Sequence, residues 1–527
     1  MKVLIADQLS DMAVSILRDG GLLVDVRTGL KPQELKEIVG EYDGLIVRSA
    51  TKVTKEIIER AQRLKVIGRA GIGVDNIDVP AATEKGIVVM NTPQGNALAA
   101  AEHTIGLLFA AARRIPQADR SMKEGRWEKK AFMGVEIYGK ILGIVGLGNI
   151  GSIVAQKALA LGMKVGAYDP FVPKEFAQRM GVSLLDLDTL LKESDFVTVH
   201  VPLLKETRNL IDKQAFSKMK DGVILINTSR GGIVNETDLL DALKSGKVQY
   251  AALDVFEEEP PPKDHPLVLS EKTICTPHLG ASTYEAQDKV ATDIAIQIVE
   301  FFKDGVIRNG VNVPNISPEL LSTLSPYLEL SSRLGAFLAG VTDFSIASIE
   351  VNYAGDIGRM DTRVLTQAAL KGILSSHMEE VNYVNAPVIA KRRGISVTER
   401  RVEEHEDYSS LLEITLVSSD GQRSNVSGTL LGKKEPRLLS VNGIKVEARL
   451  SEHMLFVQNY DRPGVIAQIA GVFFRRGINI GGMHFGRERV GGNAVSLLEV
   501  DKVIEDEVMK EVEALPNILK VRRVELL

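Results

Sequence analysis

Three residue types that together could oxidise an alcohol follow apolar, strand-like runs in the middle of the chain. Arg230, Glu259 and His278 each lie in a polar cluster just after such a run. Removing a hydride from an alcohol requires a group that takes the hydroxyl proton, and the ordinary pKa of histidine suits that task. A carboxylate on the other ring nitrogen would orient the imidazole and favour its protonated form, and arginine could grip a substrate carboxylate. Each residue alone could equally be a capping histidine, a helix-start glutamate or a surface arginine.

The elements that must position this trio begin with a glycine-rich turn. Apolar residues 140–145 lead into Gly146-x-Gly148-x-x-Gly151, and apolar residues then recur at helical spacing. Gly146 permits a tight turn, Gly148 lets the backbone approach a pyrophosphate, and Gly151 allows close helix–strand packing. The pattern predicts a dinucleotide site, although a glycine turn of this kind can also be purely structural.

Asp169 ends the next predicted strand, about 20 residues beyond the first glycine, where an acidic residue can accept hydrogen bonds from ribose hydroxyls. Its charge would repel the 2′-phosphate of NADP, so we expect the cofactor to be NAD. The alternative is an aspartate that only caps the turn before Pro170. The predicted cofactor contacts are Gly146, Gly148, Asn149, Ile150, Gly151, Asp169, Thr207 and Asp254.

Length and composition exclude several classes of protein. A chain of 527 residues predicts three or four domains at ~150 residues each, and a formal net charge of −5 provides no basic surface for nucleic acid. Cys275 is the single cysteine, so no intrachain disulfide can form. The strand-like residues 2–6 leave no room for a signal peptide, and we find neither a membrane-length apolar run nor a metal-ligand pattern. We expect a cytoplasmic protein.

Two α/β units precede residue 287. Residues 1–96 alternate short apolar runs (3–6, 22–26, 44–47, 65–69 and 87–90) with amphipathic stretches. Residues 140 to about 278 repeat strand and helix six times, with the glycine turn after the first strand. A long apolar helix over 96–113 crosses between the units, and we interpret its His103 as a satisfied helix histidine rather than a catalyst.

The first unit carries a candidate anion site at two strand ends. Arg48 and Ser49 follow one strand, and Gly71, Ile72 and Gly73 follow another. Ligands bind beyond the carboxyl ends of parallel strands, so Arg48 and the backbone amides of these glycines could hold an anion. The alternatives are a solvated surface cation and an irregular turn.

Four motifs in combination resemble the D-isomer-specific 2-hydroxyacid dehydrogenases over about residues 1–315. They are the glycine turn, Asn-Thr-Ser-Arg-Gly-Gly at 227–232, Ala-Leu-Asp-Val-Phe-Glu-Glu-Glu-Pro at 252–260, and Thr-Pro-His-Leu-Gly at 276–280. The resemblance implies catalytic roles for Arg230, Glu259 and His278, although Glu257 or Glu258 could replace Glu259. It also implies two doubly wound parallel-sheet domains, a flavodoxin-like substrate domain (1–96 and 287–315) and a Rossmann nucleotide domain (97–286), with the cleft between them.

Within that family the chain is most similar to the long members that convert D-3-phosphoglycerate to 3-phosphohydroxypyruvate, the first step of L-serine biosynthesis. The resemblance implies that Arg48, with help from Lys129 or Lys130, binds the substrate phosphate, and that residues 125–134, including the only tryptophan, Trp127, form a subunit contact in a dimer or homotetramer. Two alternatives stay open: another D-2-hydroxyacid or glyoxylate reductase, and a non-catalytic NAD-sensing scaffold.

Proline and polar residues at 312–318 predict a domain boundary. Residues 316–451 then predict a separate α+β module with a leucine-rich helix, a strand near 346–353, a second helix, and hairpin-like strands around 411–417 and 424–431. The family resemblance implies that this is an intervening regulatory domain. The basic residues 391–393 and 400–401 could form an anion site, but such a run is more often a solvated face.

Residues 452–527 predict strand, helix, strand, strand, helix and strand, the order of a ferredoxin-like fold. The segments 459–465 and 476–480 resemble an ACT domain, which binds small amino acids. The resemblance implies an L-serine effector at Asn459, Asp461 and Asn479. Asp461 could instead cap the helix that Pro463 opens, and Asn459 departs from the histidine or tyrosine common at its position.

Overall fold

The first α/β unit is an open, fully parallel sheet, as predicted. The computed structural model of the chain describes residues 1–315, 318–376, 378 and 380–526. The five strands lie in the order β2-β1-β3-β4-β5, which is flavodoxin-like. Their bounds are β1 Lys2–Ile5, β2 Leu23–Val26, β3 Gly44–Val47, β4 Val66–Arg69 and β5 Val88–Met90, with helices α1 Asp11–Asp19, α2 Pro32–Ile38, α3 Lys55–Arg60 and α4 Val79–Glu84.

The second unit is a seven-stranded parallel sheet rather than the six-stranded sheet predicted. The strand order is β12-β11-β10-β9-β6-β7-β8. The strands are β6 Ile141–Val145, β7 Lys164–Tyr168, β8 Ser183–Leu184, β9 Phe196–Val199, β10 Val223–Asn227, β11 Val248–Leu253 and β12 Thr273–Cys275. The helices are α5 Ala97–Arg113, α6 Ile115–Lys123, α7 Asn149–Ala160, α8 Lys174–Arg179, α9 Leu187–Glu193, α10 Lys213–Lys218, α11 Glu236–Ser245 and α12 Pro266–Leu269. Sequence periodicity missed β8 because it has two residues, too few to show a pattern.

Helices cover both faces of this sheet, so its central strands are continuous apolar runs. Every residue of β9 and β10 is buried. Side-chain caps begin the helices that follow them, because Asp212 accepts hydrogen bonds from the first turn of α10 and Asn235 from that of α11. Because the strands are parallel, the polar clusters after β10, β11 and β12 meet at one edge of the sheet.

The chain then returns to the first unit through α13 (Tyr284–Asp304). Val290, Ile294 and Ile298 of this helix are buried in the same core as Val3 and Ile5 of β1. The family resemblance implied this return. Residues 91–96 and the start of α13 are thus the two crossings between the units.

The third unit is a six-stranded mixed sheet, ordered β14-β13-β15-β16-β17-β18, with helices on one face. Its bounds are α14 Pro318–Val341, β13 Ser348–Gly355, α15 Arg363–Ser375, α16 Ala386–Arg392, β14 Ser396–Val402, β15 Ser410–Val417, β16 Arg423–Leu431, β17 Glu435–Val441 and β18 Ile444–Arg449. The predicted hairpin of β15 and β16 is present. The boundary predicted at 315/316 falls on Ile316, which lies outside the described residues.

The last unit has the predicted ferredoxin-like order, with an antiparallel sheet β20-β21-β19-β22. Its bounds are β19 His453–Tyr460, α17 Val465–Arg475, β20 Ile480–Arg487, β21 Asn493–Val500, α18 Asp506–Glu513 and β22 Ile518–Glu525. One face packs on α14, where Phe337 meets Phe456 edge to face at 6.2 Å between ring centroids. The last two units therefore share one hydrophobic core. No helix among the described residues is long and apolar enough to span a membrane.

Candidate active site

His278 and Glu259 form a direct pair at the carboxyl edge of the second sheet. Nδ1 of His278 lies 2.8 Å from Oε2 of Glu259. Because an ionised carboxylate only accepts hydrogen bonds, Nδ1 carries the proton and Nε2 is left as the basic nitrogen. The two side chains are 46% and 38% exposed, so the pair is open to a ligand.

The ionised form of Glu259 is favoured by its neighbours. Burial acts to raise the pKa of Glu259, but hydrogen bonds from His278 and the Phe256 amide, together with the charges of His278 and Arg230, outweigh burial and lower it. Because three glutamates are consecutive, the sequence left open whether Glu257 or Glu258 could be the partner of His278 instead. Among the described contacts, Glu259 is the glutamate of the run that bonds His278.

The backbone of His278 is held in a left-handed conformation, with φ of 53°. Such a φ is uncommon for a residue other than glycine and needs support from its surroundings. Asp254 supplies it: its backbone oxygen accepts the His278 N–H at 2.9 Å, and its carboxylate accepts the N–H groups of Leu279 at 2.7 Å and Gly280 at 2.9 Å. Asp254 thereby fixes the direction of the histidine side chain.

The Asp254 carboxylate is fully buried and also bonds two side chains. It accepts from Thr276 Oγ1 at 2.5 Å and lies 3.1 Å from His103 Nε2. Burial acts to raise the pKa of Asp254, but these hydrogen bonds and that of Leu279 lower it. His103 is a satisfied helix histidine, as expected, and a direct contact between Asp254 and the cofactor stays a prediction.

Arg230 bridges the two α/β units. Its Nε donates to Asp75 Oδ2 of the first unit at 2.9 Å, and its Nη1 donates to the Ser229 carbonyl at 2.7 Å. Asp75 could not be singled out from the sequence, because its contact with Arg230 depends on how the two units face each other. A Cβ on Gly73 would lie 1.8 Å from Arg230 Nη2, so only glycine lets the arginine lie against this loop.

The loop that carries Arg48 and Ser49 is held by a buried carboxylate. Asp7 accepts the backbone N–H of Arg48 at 2.6 Å and the hydroxyl of Thr51 at 2.7 Å. Asn76 donates to the Arg48 carbonyl at 2.7 Å, which ties this loop to the loop after β4 that carries Gly71 and Gly73. Ser49 is exposed and Arg48 partly so.

Arg69 is a cation of the cleft that sequence reasoning missed. Burial and the nearby charges of Arg230 and Arg48 lower the pKa of Arg69 to about 10, which still leaves it charged at neutral pH. Its Nε is buried without a hydrogen-bond partner among the described residues. A Cβ on Gly71 would lie 1.6 Å from Arg69 Nη1. Three arginines therefore converge on the cleft, and the position of Arg69 at a strand end was the available signal.

The glycine turn has the geometry that a dinucleotide needs. Gly146 has φ of 96°, and a Cβ on Gly151 would lie 2.0 Å from the Gly146 carbonyl oxygen. A Cβ on Gly148 would meet no described atom within 4 Å, so that face of the turn is open. The N-terminus of α7 follows at Asn149, whose side chain donates to the Pro93 carbonyl at 3.2 Å. These features fit a pyrophosphate over the helix N-terminus.

Asp169 stands at the end of β7 beside this turn. Its carboxylate accepts the N–H of Leu147 at 2.9 Å and that of Phe171 at 2.9 Å. It therefore caps the local turn, which was the alternative interpretation, and also lies where a ribose would bind. Thr207 makes local hydrogen bonds to Pro202 and Leu204, and its cofactor contact stays a prediction, as does that of Ile150.

Comparisons with known proteins identify the family of the chain. The NAD binding domain model of D-isomer specific 2-hydroxyacid dehydrogenases matches residues 105–280, the D-3-phosphoglycerate dehydrogenase intervening domain model matches 323–442, and the ACT domain model matches 453–517. A D-3-phosphoglycerate dehydrogenase from Archaeoglobus fulgidus is 46% identical over 529 residues, covering 100% of both chains. The chain belongs to the D-3-phosphoglycerate dehydrogenase family.

Other relatives agree with this assignment. The D-3-phosphoglycerate dehydrogenase of Bacillus subtilis is 38% identical over 530 residues, 100% of this chain and 99% of the relative. A solved NAD-dependent formate dehydrogenase from Staphylococcus aureus in complex with NAD is 28% identical, with a TM-score of 0.54, over 60% of this chain and 100% of its own. The family is one of NAD-dependent oxidoreductases, and the prediction of NAD as cofactor is confirmed.

The predicted effector residues of the ACT domain have separate partners. Asn459 is buried and accepts from Ser496 Oγ at 3.1 Å, and Asn479 donates to Asp501 at 2.9 Å. Asp461 accepts from the Gly491 amide at 3.0 Å and from Arg487 at 3.0 Å. Gly464 is the N-cap of α17, so the alternative that Asp461 caps this helix is wrong. An effector site at these residues stays a prediction.

The segment predicted to contact another subunit is exposed. Trp127 is 81% exposed, and Lys129 and Lys130 lie in a short 3₁₀ turn on the same segment. Within the described contacts of the chain, neither lysine bonds a residue of the cleft, so their role at the phosphate stays a prediction. Among the described residues no group of His, Cys, Asp and Glu could hold a metal ion.

Proposed function

We propose that the chain oxidises D-3-phosphoglycerate to 3-phosphohydroxypyruvate with NAD, the first step of L-serine biosynthesis. The observation that carries the proposal is the Glu259–His278 pair at 2.8 Å, which shares a cleft with Arg230, Arg69 and Arg48. A base and a cluster of cations suit a substrate that has one hydroxyl to deprotonate and two anionic groups to bind.

His278 acts as the base. Nε2 takes the proton of the substrate hydroxyl, while Nδ1–H remains bonded to Glu259, whose negative charge stabilises the imidazolium that forms. In the reverse direction the imidazolium returns the proton to the carbonyl oxygen. The left-handed backbone of His278, held by Asp254, keeps the ring in place for both steps.

Two arginines bind the two anionic groups of the substrate. Arg230 binds the carboxylate, since its guanidinium can present paired N–H donors, and its Nε already bonds Asp75. Arg48 binds the phosphate, supported by the charge of Arg69 and by the backbone amides of Gly71, Ile72 and Gly73 on the neighbouring loop after β4. Ser49 is placed to donate from the Arg48 loop.

The glycine turn and Asp169 hold the cofactor. Gly148 leaves room for the pyrophosphate, the N–H groups at the start of α7 point toward it, and Asp169 accepts from the ribose. NAD, when bound, supplies the acceptor for the hydride that leaves C2 of the substrate.

The test is a comparison of wild type with His278→Ala. Wild type should produce NADH from D-3-phosphoglycerate at a much higher kcat/KM than from D-lactate or glycolate. His278→Ala should lose nearly all turnover while its Kd for NADH, measured by fluorescence, stays within about twofold. Normal turnover in the variant would show that His278 is not the base. Absence of any NAD-linked activity in wild type would favour the non-catalytic scaffold. A solved glyoxylate reductase aligns with 59% of this chain, whereas the two D-3-phosphoglycerate dehydrogenases named above align with all of it.

Regulation and assembly are two separate proposals. The same assay with added L-serine tests the effector site, and Asp461→Ala should abolish any inhibition. The exposed Trp127 supports a dimer through the second unit, with a tetramer formed through the C-terminal units. Light scattering should give a dimer or tetramer for wild type and a smaller species for Trp127→Glu. The single cysteine supports the cytoplasm as the location.

A further inference from the structure

A pocket of about 230 Å³ lies at the crossing between the first two units. It is lined by residues 92–94, by residues 293, 296 and 297 of α13 and by residues 308–309, and we call it the hinge pocket. None of these residues belongs to the catalytic trio, the substrate loops or the glycine turn. The volume is below the range typical of sites for drug-sized molecules, so it suits a small ligand.

Two buried side chains of the hinge pocket have unused hydrogen-bonding capacity. Thr92 is 1% exposed and Gln297 is 5% exposed. Thr92 Oγ1 and Gln297 Oε1 have no hydrogen-bond partner in the part of the chain that the structure describes. Buried polar atoms are nearly always paired, so two unpaired ones in one pocket point to a polar ligand.

The charges around the hinge pocket favour a ligand with an ammonium group. Asp293 lines the pocket one helical turn before Gln297 and takes part in no described hydrogen bond or ion pair. Glu300, one turn after Gln297, pairs with Arg308 at 2.8 Å through Oε1, while its Oε2 is buried and unpartnered among the described residues. The two carboxylates, Asp293 in the pocket and Glu300 beside Arg308, therefore outnumber the one guanidinium, and the charge of these three groups is net negative.

Arg308 provides the complementary charge for a carboxylate. It lines the hinge pocket, and in the described contacts only its Nη2 is engaged, with Glu300. A guanidinium has five N–H donors in a planar fork that matches a carboxylate. A small molecule with an ammonium and a carboxylate group, an α-amino acid, would therefore satisfy both ends of the pocket.

The hinge pocket is connected to both halves of the active site. The Thr92 amide donates to the Gly71 carbonyl of the substrate loop at 3.0 Å, and Asn149, the first residue of α7, donates to the Pro93 carbonyl at 3.2 Å. Gln297 Nε2 holds the hinge through the Asn91 carbonyl at 3.2 Å. A ligand on Thr92 and Gln297 would thus bear on the substrate loop and on the helix that follows the glycine turn.

We propose that the hinge pocket binds a small zwitterionic α-amino acid, with the ammonium on Asp293 and Gln297 and the carboxylate on Arg308, and that its occupancy is coupled to cofactor binding. The site is distinct from the effector site predicted in the ACT domain, and the proposal does not depend on the reaction that the enzyme catalyses.

Calorimetric titration of the full chain tests the site. Asp461→Ala is used as the background, so that the ACT domain does not contribute, and the probes are glycine, acetate and methylammonium. Glycine should bind at least tenfold more tightly than either of its halves, and Asp293→Asn and Thr92→Val should each weaken glycine at least tenfold. Asp288→Asn, an exposed position on the same helix, is the matched control and should change nothing. Equal binding of acetate and glycine, or unchanged affinity in both pocket variants, would overturn the proposal.

Coupling is tested by repeating the glycine titration with saturating NAD. Linkage requires that if glycine changes the affinity for NAD, NAD changes the affinity for glycine by the same factor. We expect the Kd for glycine to change at least fivefold, in either direction, and the change to disappear in Asp293→Asn. An equal Kd with and without NAD would refute the coupling, and crystals grown in glycine that show only water in the pocket would refute the site.

Discussion

Replacing Glu259 with glutamine tests the catalytic pair most directly. The substitution keeps the shape of the side chain and the acceptor for the Phe256 amide, which lies 3.1 Å from Oε1, but removes the negative charge 2.8 Å from His278 Nδ1. A hydrogen bond to a charged group contributes about 1.5–3 kcal/mol, and partial exposure of both side chains favours the lower half of that range. A loss of about 1.5–2 kcal/mol in stabilising the imidazolium lowers kcat by about 10- to 30-fold.

The pH dependence of this variant has a defined sign. In wild type the low pKa of Glu259 keeps it ionised through the assay range, where it stabilises the protonated imidazole. Oxidation requires the neutral imidazole, so removal of the charge should move the acid limb of the kcat/KM profile to lower pH. The plateau at high pH should be lower, because the base is weaker.

The assay is initial-rate NADH production from D-3-phosphoglycerate between pH 6 and 10, with Glu258→Gln as the matched control. Glu258 neighbours Glu259 in the same run but, among the described residues, makes no hydrogen bond to His278. The control should retain wild-type kinetics. A loss in Glu258→Gln equal to that in Glu259→Gln, or an acid limb that stays in place in Glu259→Gln, would refute the assignment of Glu259 as the partner of the histidine.

Three further predictions concern the cofactor and the substrate phosphate. Gly148→Ala should raise the Kd for NAD about tenfold and leave thermal stability nearly unchanged. Gly151→Ala should also unfold at lower temperature, because its Cβ would lie 2.0 Å from a backbone oxygen. Calorimetry and NAD titration of both variants separate the two effects. Asp169→Asn should raise the ratio of kcat/KM with NADP to kcat/KM with NAD at least about fivefold, the factor expected from removing roughly 1 kcal/mol of charge repulsion. An unchanged ratio would show that Asp169 does not contact the ribose. Arg48→Ala should raise KM for D-3-phosphoglycerate about 10- to 100-fold through loss of a charged hydrogen bond, and KM for D-glycerate much less; equal effects would place Arg48 outside the phosphate site.

The sequence predicted the parts of the fold and site that depend on local pattern. The glycine turn, the parallel strands around it and the polar clusters after β10, β11 and β12 follow from short-range periodicity and from the rule that parallel strands present their carboxyl ends at one edge. Each residue of the proposed catalytic trio lies within such a cluster. The strands that were missed, β8 among them, are too short or too polar to show the pattern, and β14 is mostly exposed.

Contacts between units could not be predicted in the same way. Asp75 meets Arg230 across a separation of 155 residues, and the contact exists only because the two units face each other over the cleft. Arg69 was visible in the sequence, but its burial between Arg48 and Arg230 was not. The alternatives of Glu257, Glu258 and Glu259 differ by one residue in register, which only the path of the loop decides.

Residues 91–93 of the hinge are another example of contacts between the units. Asn91 and Thr92 attract no notice in the sequence because neither residue type is unusual after a strand. In the structure Asn91 Nδ2 donates to the Ile72 carbonyl at 2.5 Å, the Thr92 amide holds Gly71, and Pro93 accepts from Asn149. The segment therefore connects the loop proposed to bind the phosphate to the turn proposed to bind the cofactor. A small ligand that holds this backbone would influence both, because the backbone contacts the loop on one side and the turn on the other.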